Sequence, residues 1–217
     1  MTPSLSGWQK RVLLALTGIA VLALFALAFT AGRVSSGPSF PGTTSSDAGF
    51  ARDMQVHHNQ AVEMSMIVRD NITDETLRSI AYDIALTQQQ QAGQMYAWLE
   101  EWGLDQSSAQ PRMEWMAAGS GHGGMEMGAD PASMLTPEGL MPGMATGAQL
   151  DELRAARGED AERLYLNLMI NHHEAGVDMA RAGAELAETG QVRTLATKIQ
   201  SGQQAEITLM QNMLDAL

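Results

Sequence analysis

Two stretches of the chain decide its fold: residues 54–64 read MQVHHNQAVEM, and residues 169–179 read MINHHEAGVDM. Both contain Met-x-x-His-His followed by Val, an acidic residue and Met, and they are related by an offset of 115 residues, from 54 to 169. The same offset relates a second pair of segments, since it aligns residues 88–89 with 203–204 and Met95 with Met210. Because one shift fits two separate segments, we infer a duplicated pair of helices.

Each segment has the period of an amphipathic helix. In the first segment the inward-facing positions alternate between spacings of four and three: Phe50, Met54, His57, Ala61, Met64 and Val68. This spacing places them on one helix face. Residues 77–102, 165–183 and 192–217 repeat the pattern, and short connections near 71–74 and 189–190 join the helices in pairs. We therefore predict an all-α four-helix bundle made of two duplicated helical hairpins.

The connection between the two hairpins, at about 103–158, has no period and is rich in Gly, Pro, Ser and Met. Its methionines are Met113, Met116, Met125, Met127, Met134, Met141 and Met144, with His122 among them. Such a long irregular connection is usually either functional or disordered. We expect these methionines to lie outside the core of the 47–217 domain, either capturing metal or belonging to a weakly specific tail.

The N-terminus carries a predicted membrane anchor. Residues 12–31 are apolar, small or hydroxyl-bearing without interruption, which is long enough for a transmembrane helix. Lys10 and Arg11 precede this run and predict that residues 1–11 are cytoplasmic. Residues 32–46 are rich in Ser, Gly, Pro and Thr and are predicted to form a flexible linker. The expected location is the cell membrane, single-pass, with the bulk of the chain extracytoplasmic. A cleaved signal peptide is the competing interpretation.

Composition restricts the ligands and partners. The chain has 25 Asp and Glu against 13 Lys and Arg, a net charge of −12, which argues against binding to nucleic acid. It has no cysteine, so thiolate ligands and disulfides are excluded. Any site for a soft metal must therefore use His and Met, of which the chain has 5 and 16.

The histidine doublets are predicted to meet at one level inside the bundle. Counted outward from each hairpin turn, His57 lies level with Gln88 and Gln91, and the repeat places His172 level with residues 203 and 206. His57 points into the helix seam, and its neighbour lies to one side of it. Ala61 and Gly176 follow one turn later, and both are small enough to leave room for an imidazole or an ion.

A buried polar layer is costly unless its members pair with one another, with water or with a metal ion. Imidazole ligates copper and zinc, and thioether sulfur favours Cu(I), so the composition of this layer predicts copper. The candidate ligands are His57, His58, His172, His173, Met54, Met64, Met95, Met169, Met179 and Met210. The alternatives are a hydrogen-bonded network without metal and, for each methionine of the seam, ordinary core packing.

With these motifs the chain resembles the ferritin-like family catalogued as domain of unknown function 305, in which M-x-x-H-H-x-x-A/G-x-x-M recurs in each half. The resemblance covers about 47–217 and implies a ferritin-like bundle outside the cytoplasmic membrane that handles copper and sometimes silver. Silver is thus the expected surrogate ion. The ligands that the resemblance implies are Met54, His57, His58, Met64, Met169, His172, His173 and Met179.

Two differences between the halves imply half-sites of different affinity. Asp53 corresponds to Leu168, and Gln91 corresponds to Glu206.

Three functions remain open. The first is copper sequestration, transfer or tolerance, with Cu(I) favoured over Cu(II) and with a copper-handling protein as partner. The second is a metal-free helical interaction module. The third, a ferritin-like oxidase, requires Glu-x-x-His motifs, and the sequence contains none. We therefore predict that the protein is not an enzyme. Helices can also pair between two chains, so the periodicity leaves an oligomer open.

Overall fold

The structure, a computed structural model, describes residues 6–35, 39–117 and 134–217, with the side chains of residues 31–35 outside the description. Every regular element in these ranges is a helix, so the all-α prediction is confirmed. The helices are α1 (Gly7–Ser35), α2 (Ser46–Asn71), α3 (Glu75–Glu101), α4 (Glu114–Ala117), α5 (Gly147–Ala155), α6 (Gly158–Leu186) and α7 (Gly190–Ala216). The chain divides into two compact units, Met1–Phe40 and Pro41–Leu217.

The helix of the first unit, among its described residues, is α1. Its segment Gly7–Thr30 is 24 residues long and contains an 18-residue window with a mean hydropathy of 2.7, which is long and apolar enough to cross a membrane. Its large side chains are exposed, among them Leu14, Leu22 and Phe25. A membrane anchor and a signal helix share these properties.

The second unit contains the two predicted hairpins, α2 with α3 and α6 with α7. Side chains at the turns cap the helices, as Asp74 does by accepting a hydrogen bond from the backbone N–H of Leu77 at 2.7 Å. Thr189 accepts from Val192 in the same way at the second turn. Gly103 has a φ of +68°, a conformation that favours glycine, and it ends α3 where the sequence predicts.

The apolar core lies in two clusters, and the histidine level lies between them. The first cluster contains Met54 and Met95 together with Met179, and the second contains Met64, Met169 and Met210. Met54 precedes His57 along α2, whereas Met179 follows His172 along α6, so sharing one cluster requires these helices to be antiparallel. α2 packs against α3 and α6, and α6 packs against α7, whereas the backbones of α3 and α7 hardly approach each other.

The connection between the hairpins differs from the prediction, because part of it packs on the bundle. Met113 and Met141 are 2% and 0% exposed, so the expectation that the connection's methionines lie outside the core is wrong for both. Met116, Met134 and Met144 are partly buried against the first cluster. Met125, Met127 and His122 lie outside the described residues. The segment also contains α5, whose Leu153 is fully buried in the second cluster.

Side chains of α2 hold the connection in place. The Asp53 carboxylate accepts hydrogen bonds from the backbone N–H of Met113 at 2.8 Å and from the indole N–H of Trp115 at 2.9 Å. The Gln60 amide exchanges two hydrogen bonds with the backbone of Ala145, at 2.7 and 2.9 Å. These bonds pair the polar backbone groups of an irregular segment, which could otherwise not be buried.

Candidate metal centre

The four histidines of the two doublets come together in one buried layer. His57, His58, His172 and His173 are each 0% exposed. The rings of His57 and His172 lie with centroids 3.7 Å apart and planes inclined by 32°, and those of His172 and His173 are 6.2 Å apart. The structure thus brings together the imidazoles of α2 and α6, with both members of each doublet in the interior.

Three of the imidazoles use the same ring nitrogen in a hydrogen bond to an oxygen. His57 Nε2 bonds to the carbonyl of Pro142 at 3.2 Å, His58 Nε2 to Gln91 Oε1 at 2.8 Å, and His173 Nε2 to a carboxylate oxygen of Glu206 at 2.8 Å. Because each partner is an oxygen that accepts, the Nε2–H group donates, and in a neutral imidazole Nδ1 then keeps its lone pair. A hydrogen bond of this kind fixes the tautomer of a histidine and raises the basicity of its other nitrogen toward a metal ion.

The remaining polar atoms of the layer lack hydrogen-bond partners within the part of the chain that the structure describes. They are Nδ1 of all four histidines, Nε2 of His172, and both side-chain amide atoms of Gln88 and Gln203. Each unpaired buried polar group costs about 1–3 kcal/mol. A bound ion or water at this level would pair several of them at once. Imidazole nitrogens with thioethers in the flanking clusters fit a transition metal such as copper, whereas the amide oxygens are harder donors.

Burial favours the neutral form of His57, His58 and His172. Loss of solvation lowers the pKa of His57 to about 4 and that of His58 to about 3, with hydrogen bonds to Pro142 and Gln91 opposing the shift. Burial likewise lowers the pKa of His172 well below its usual range, and the neighbouring His57 adds to this effect. At neutral pH each of these three imidazoles therefore has one ring nitrogen without a proton, and that nitrogen can bind a cation.

The nitrogens do not already surround one point. Among residues 6–35, 39–117 and 134–217, no group of three His, Asp or Glu side chains has an arrangement that could hold a metal ion. The stacked rings of His57 and His172 explain this, since their faces rather than their nitrogens meet. Binding by several imidazoles would require side-chain rotation. His172, neither of whose ring nitrogens has a hydrogen-bond partner, can rotate without breaking a hydrogen bond.

The six candidate methionines are all buried, at 0 or 1% exposure. Met54, Met95 and Met179 pack in the first apolar cluster, and Met64, Met169 and Met210 pack in the second. The histidine layer therefore has thioethers in the cluster on each side, and each sulfur also has an ordinary packing role. Their part as ligands remains a prediction.

The expected space beside Gly176 is occupied. A Cβ at this position would lie 2.3 Å from Gln203 Oε1, so the missing side chain makes room for the Gln203 amide. The expectation that Gly176 leaves room for an imidazole or an ion is wrong, because the glutamine of α7 already fills that space. The layer itself was anticipated correctly, although Gln91 and Glu206 contact the second histidine of each doublet rather than the first.

Sequence reasoning missed the residues that close the layer on the side of the connection. Pro142 contributes its carbonyl to His57, and Gly143, with a φ of +74°, approaches α6 so closely that a Cβ would lie 3.0 Å from the Cα of His172. A signal was present in the repeat. Gln60, which binds the connection, corresponds to Ala175, against which Gly143 packs. At this position the break in the repeat lies on the face that the connection covers.

Fold and site together define a class of protein: a bundle of two duplicated helical hairpins that enclose a layer of paired histidines. Residues 47–214 match the family described as Domain of unknown function (DUF305). The chain belongs to this family, which confirms the resemblance inferred from the Met-x-x-His-His motifs. No curated protein matches the chain.

Solved structures share the fold. A DUF305 protein of Streptomyces coelicolor, described as secreted, is 43% identical, with a TM-score of 0.70 over 81% of this chain and 95% of that one. A DUF305 fragment from Deinococcus radiodurans is 28% identical, with a TM-score of 0.62 over 83% and 100%. CopM in its Cu(II)-bound form is 22% identical, with a TM-score of 0.56 over 79% and 97%. CopM has also been solved in Cu(I)-bound and silver-bound forms.

Proposed function

We propose that the protein binds copper in the histidine layer and sequesters or transfers it at the outer face of the cell membrane, to which α1 anchors it. The observation that carries the proposal is the burial of four imidazoles at one level with all four Nδ1 atoms unpaired. The copper-bound and silver-bound structures of CopM, a protein of the same fold, support the choice of metal.

The charge of the layer favours Cu(I) over Cu(II). Burial favours neutral His57, His58 and His172, and within the described residues the acidic group that contacts the layer is Glu206, through His173. A divalent ion would bring more charge into this interior than one carboxylate can neutralise, and buried charge without compensation is costly. Thioethers in both flanking clusters also prefer Cu(I).

The proposed role is that of a carrier, not an enzyme. The acidic residues that the motifs contribute, Glu63 and Asp178, are 43 and 64% exposed in their side chains and pair with Arg154 and Arg181 at the surface. Carboxylates of a di-iron oxidase must instead project into the bundle core. A copper-handling protein that delivers or accepts the ion follows from this role.

A titration of the full chain in detergent with Cu(I), Ag(I), Cu(II) and Zn(II), each in competition with a chelator of known affinity, tests the proposal. We expect tight stoichiometric binding of Cu(I) and Ag(I) that is lost in the double variant His57→Ala, His172→Ala. The matched control is His122→Ala, which removes the one histidine outside the doublets and is expected to leave binding unchanged. Circular dichroism verifies that each variant is folded.

Two results would contradict the proposal. Binding that survives the double variant but falls in His122→Ala would place the metal in the connection between the hairpins. A chain that binds none of the four ions would instead favour a metal-free helical module that recruits a partner.

A further inference from the structure

Two of the long helices leave a polar groove between them. α3 and α7 hardly approach each other, whereas the other neighbouring long helices pack along their length. The groove has a volume of about 580 Å³ and is lined by Gln94 and Trp98 from α3 and by Gln191 and Lys198 from α7. Its lining is mostly polar, unlike the two apolar clusters of the core.

A small cavity continues the groove toward the histidines. Its volume is about 20 Å³, and Gln91 and Lys198 line both the cavity and the groove. A single water needs about 10–15 Å³ of this kind of space. The cavity is therefore wide enough for one water or one small ion, and too narrow for a hydrated ion.

The polar groups of this cavity connect solvent to the histidine layer. Gln91 and Glu206 line the cavity and bond directly to His58 and His173. The Glu206 side chain is 28% exposed, whereas His173 is fully buried, so one residue contacts both environments. Deeper in the same cavity, the amides of Gln88 and Gln203 are unpaired. Amide and carboxylate oxygens at successive depths can replace the water ligands of a cation one at a time.

Within the described residues, packing fills the layer on two other sides. On the side of the connection, Pro142 bonds to His57 and Gly143 packs against the backbone of α6 at His172. Toward the bundle ends, the two apolar clusters fill the interior. An ion that came from these directions would have to break packing or pass through apolar side chains.

We infer that copper enters and leaves the histidine layer through the groove between α3 and α7, passing between Gln91 and Glu206. The inference rests on the proposed copper binding and adds the route and its narrowest point. It also identifies the groove as the surface where a metal-donating or metal-accepting protein must present its ligand.

Two glycines provide a matched test. Gly202 of α7 lines the cavity, whereas Gly93 of α3 does not. A Cβ added at either position would meet nothing within 4 Å. Gly202→Trp and Gly93→Trp therefore make the same change at two helix positions that both have room for a Cβ. Only Gly202→Trp places the new side chain at the cavity. Thr87→Trp obstructs the same cavity from the opposite helix. Circular dichroism and gel filtration of the full chain in detergent verify folding, and Thr87→Trp replaces Gly202→Trp if the latter does not fold.

Double-mixing stopped flow measures the rates at which Cu(I) binds and is released, with Cu(I) in acetonitrile as the probe. Protein and Cu(I) react for a set time, and excess bicinchoninate then reports free and later released Cu(I) by absorbance. In Gly202→Trp and Thr87→Trp we expect association and dissociation to slow by at least tenfold each, with the Kd within twofold of the wild-type value. In Gly93→Trp both rates should stay within twofold.

Wild-type association and dissociation rates in both Gly202→Trp and Thr87→Trp would contradict the proposed route. So would a slower association at an unchanged dissociation rate, because a higher Kd would show a damaged site instead of an obstructed path. Failure of the proposed function is recognised separately, by an equilibrium titration in which wild-type protein does not bind Cu(I) or in which binding survives in His57→Ala, His172→Ala.

Discussion

The imidazole rings of His57 and His172 are stacked with centroids 3.7 Å apart, although the two residues are separated by 115 positions in the chain. Both rings are fully buried, and neither has a carboxylate as hydrogen-bond partner. A proton on either ring would be poorly solvated and would repel one on the other. The pair is therefore stable only while both imidazoles are neutral.

This arrangement makes the stability of the metal-free protein sensitive to acid. The pKa of a histidine is about 6.5 in the unfolded chain, whereas it is lowered to about 4 for His57 and about 3 for His58 in the folded protein. Between these values the unfolded state binds more protons, so stability is complete above pH 6.5 and falls as the pH falls. Each of these two histidines should cost about 2 kcal/mol of stability between pH 7 and pH 5.

Urea unfolding of the metal-free full chain at pH 7, 6 and 5, followed by circular dichroism, measures this effect. In the variant His57→Gln, His58→Gln the pH dependence should be weaker by about the contribution of the two residues. The same free energy of unfolding at pH 7 and pH 5 would show that the histidines are protonated, or exposed to water, in the folded state.

Asp47 connects the start of the bundle domain to the turn of the second hairpin. Its carboxylate is fully buried and accepts hydrogen bonds from the backbone N–H groups of Glu188 and Thr189 and from the Thr189 hydroxyl, at 2.6 to 2.9 Å. Asp47→Ala leaves these donors unpaired and should lower the free energy of unfolding by about 3 kcal/mol. The control Asp178→Ala, at an exposed surface pair, should change it by no more than about 0.5 kcal/mol. Equal effects in the two variants would contradict the assigned role.

Gly183 is needed for close packing between α6 and α2. A Cβ there would lie 2.5 Å from Cδ2 of Phe50, whose buried ring also meets Trp115 edge to face at a centroid distance of 5.7 Å. Because Phe50 is confined on both sides, Gly183→Ala should destabilise the protein by about 1–3 kcal/mol. Gly202→Ala, where the Cβ meets nothing within 4 Å, should instead stabilise it by up to about 1 kcal/mol. Thermal unfolding of both variants checks this difference in sign.

The bundle and its histidine layer could be predicted because both follow from regular patterns. The 3.6-residue period identifies which face of each helix is buried, and the duplication at one offset shows that His57 and His172 occupy equivalent positions. Equivalent positions on antiparallel helices lie at the same level when both are near the middle of their helix, as His57 is in α2 and His172 is in α6. The layer was thus a consequence of chain geometry.

The packing of the connection could not be predicted in the same way. Met113 and Met141 are buried in a segment with no period, so their burial depends on single hydrogen bonds such as that from the Met113 backbone to Asp53. The orientation of the imidazoles also escaped prediction. Which ring nitrogen of His57 is paired depends on the carbonyl of Pro142, 85 positions away in that same irregular segment.

The two halves of the layer differ at the residue that holds the second histidine. His58 donates to the amide oxygen of Gln91, whereas His173 donates to the carboxylate of Glu206, both at 2.8 Å. A carboxylate partner makes the other nitrogen of the imidazole a stronger donor to a metal than an amide partner does.

If His173 binds the ion through Nδ1, Glu206→Gln should weaken Cu(I) binding by about 10–100-fold, the usual effect of removing such a partner. Gln91→Glu should strengthen it. Competition titrations at pH 7 measure both changes, with Glu174→Gln, an exposed acid on α6, as the control. Equal affinities in wild type and Glu206→Gln would mean that His173 does not bind the ion.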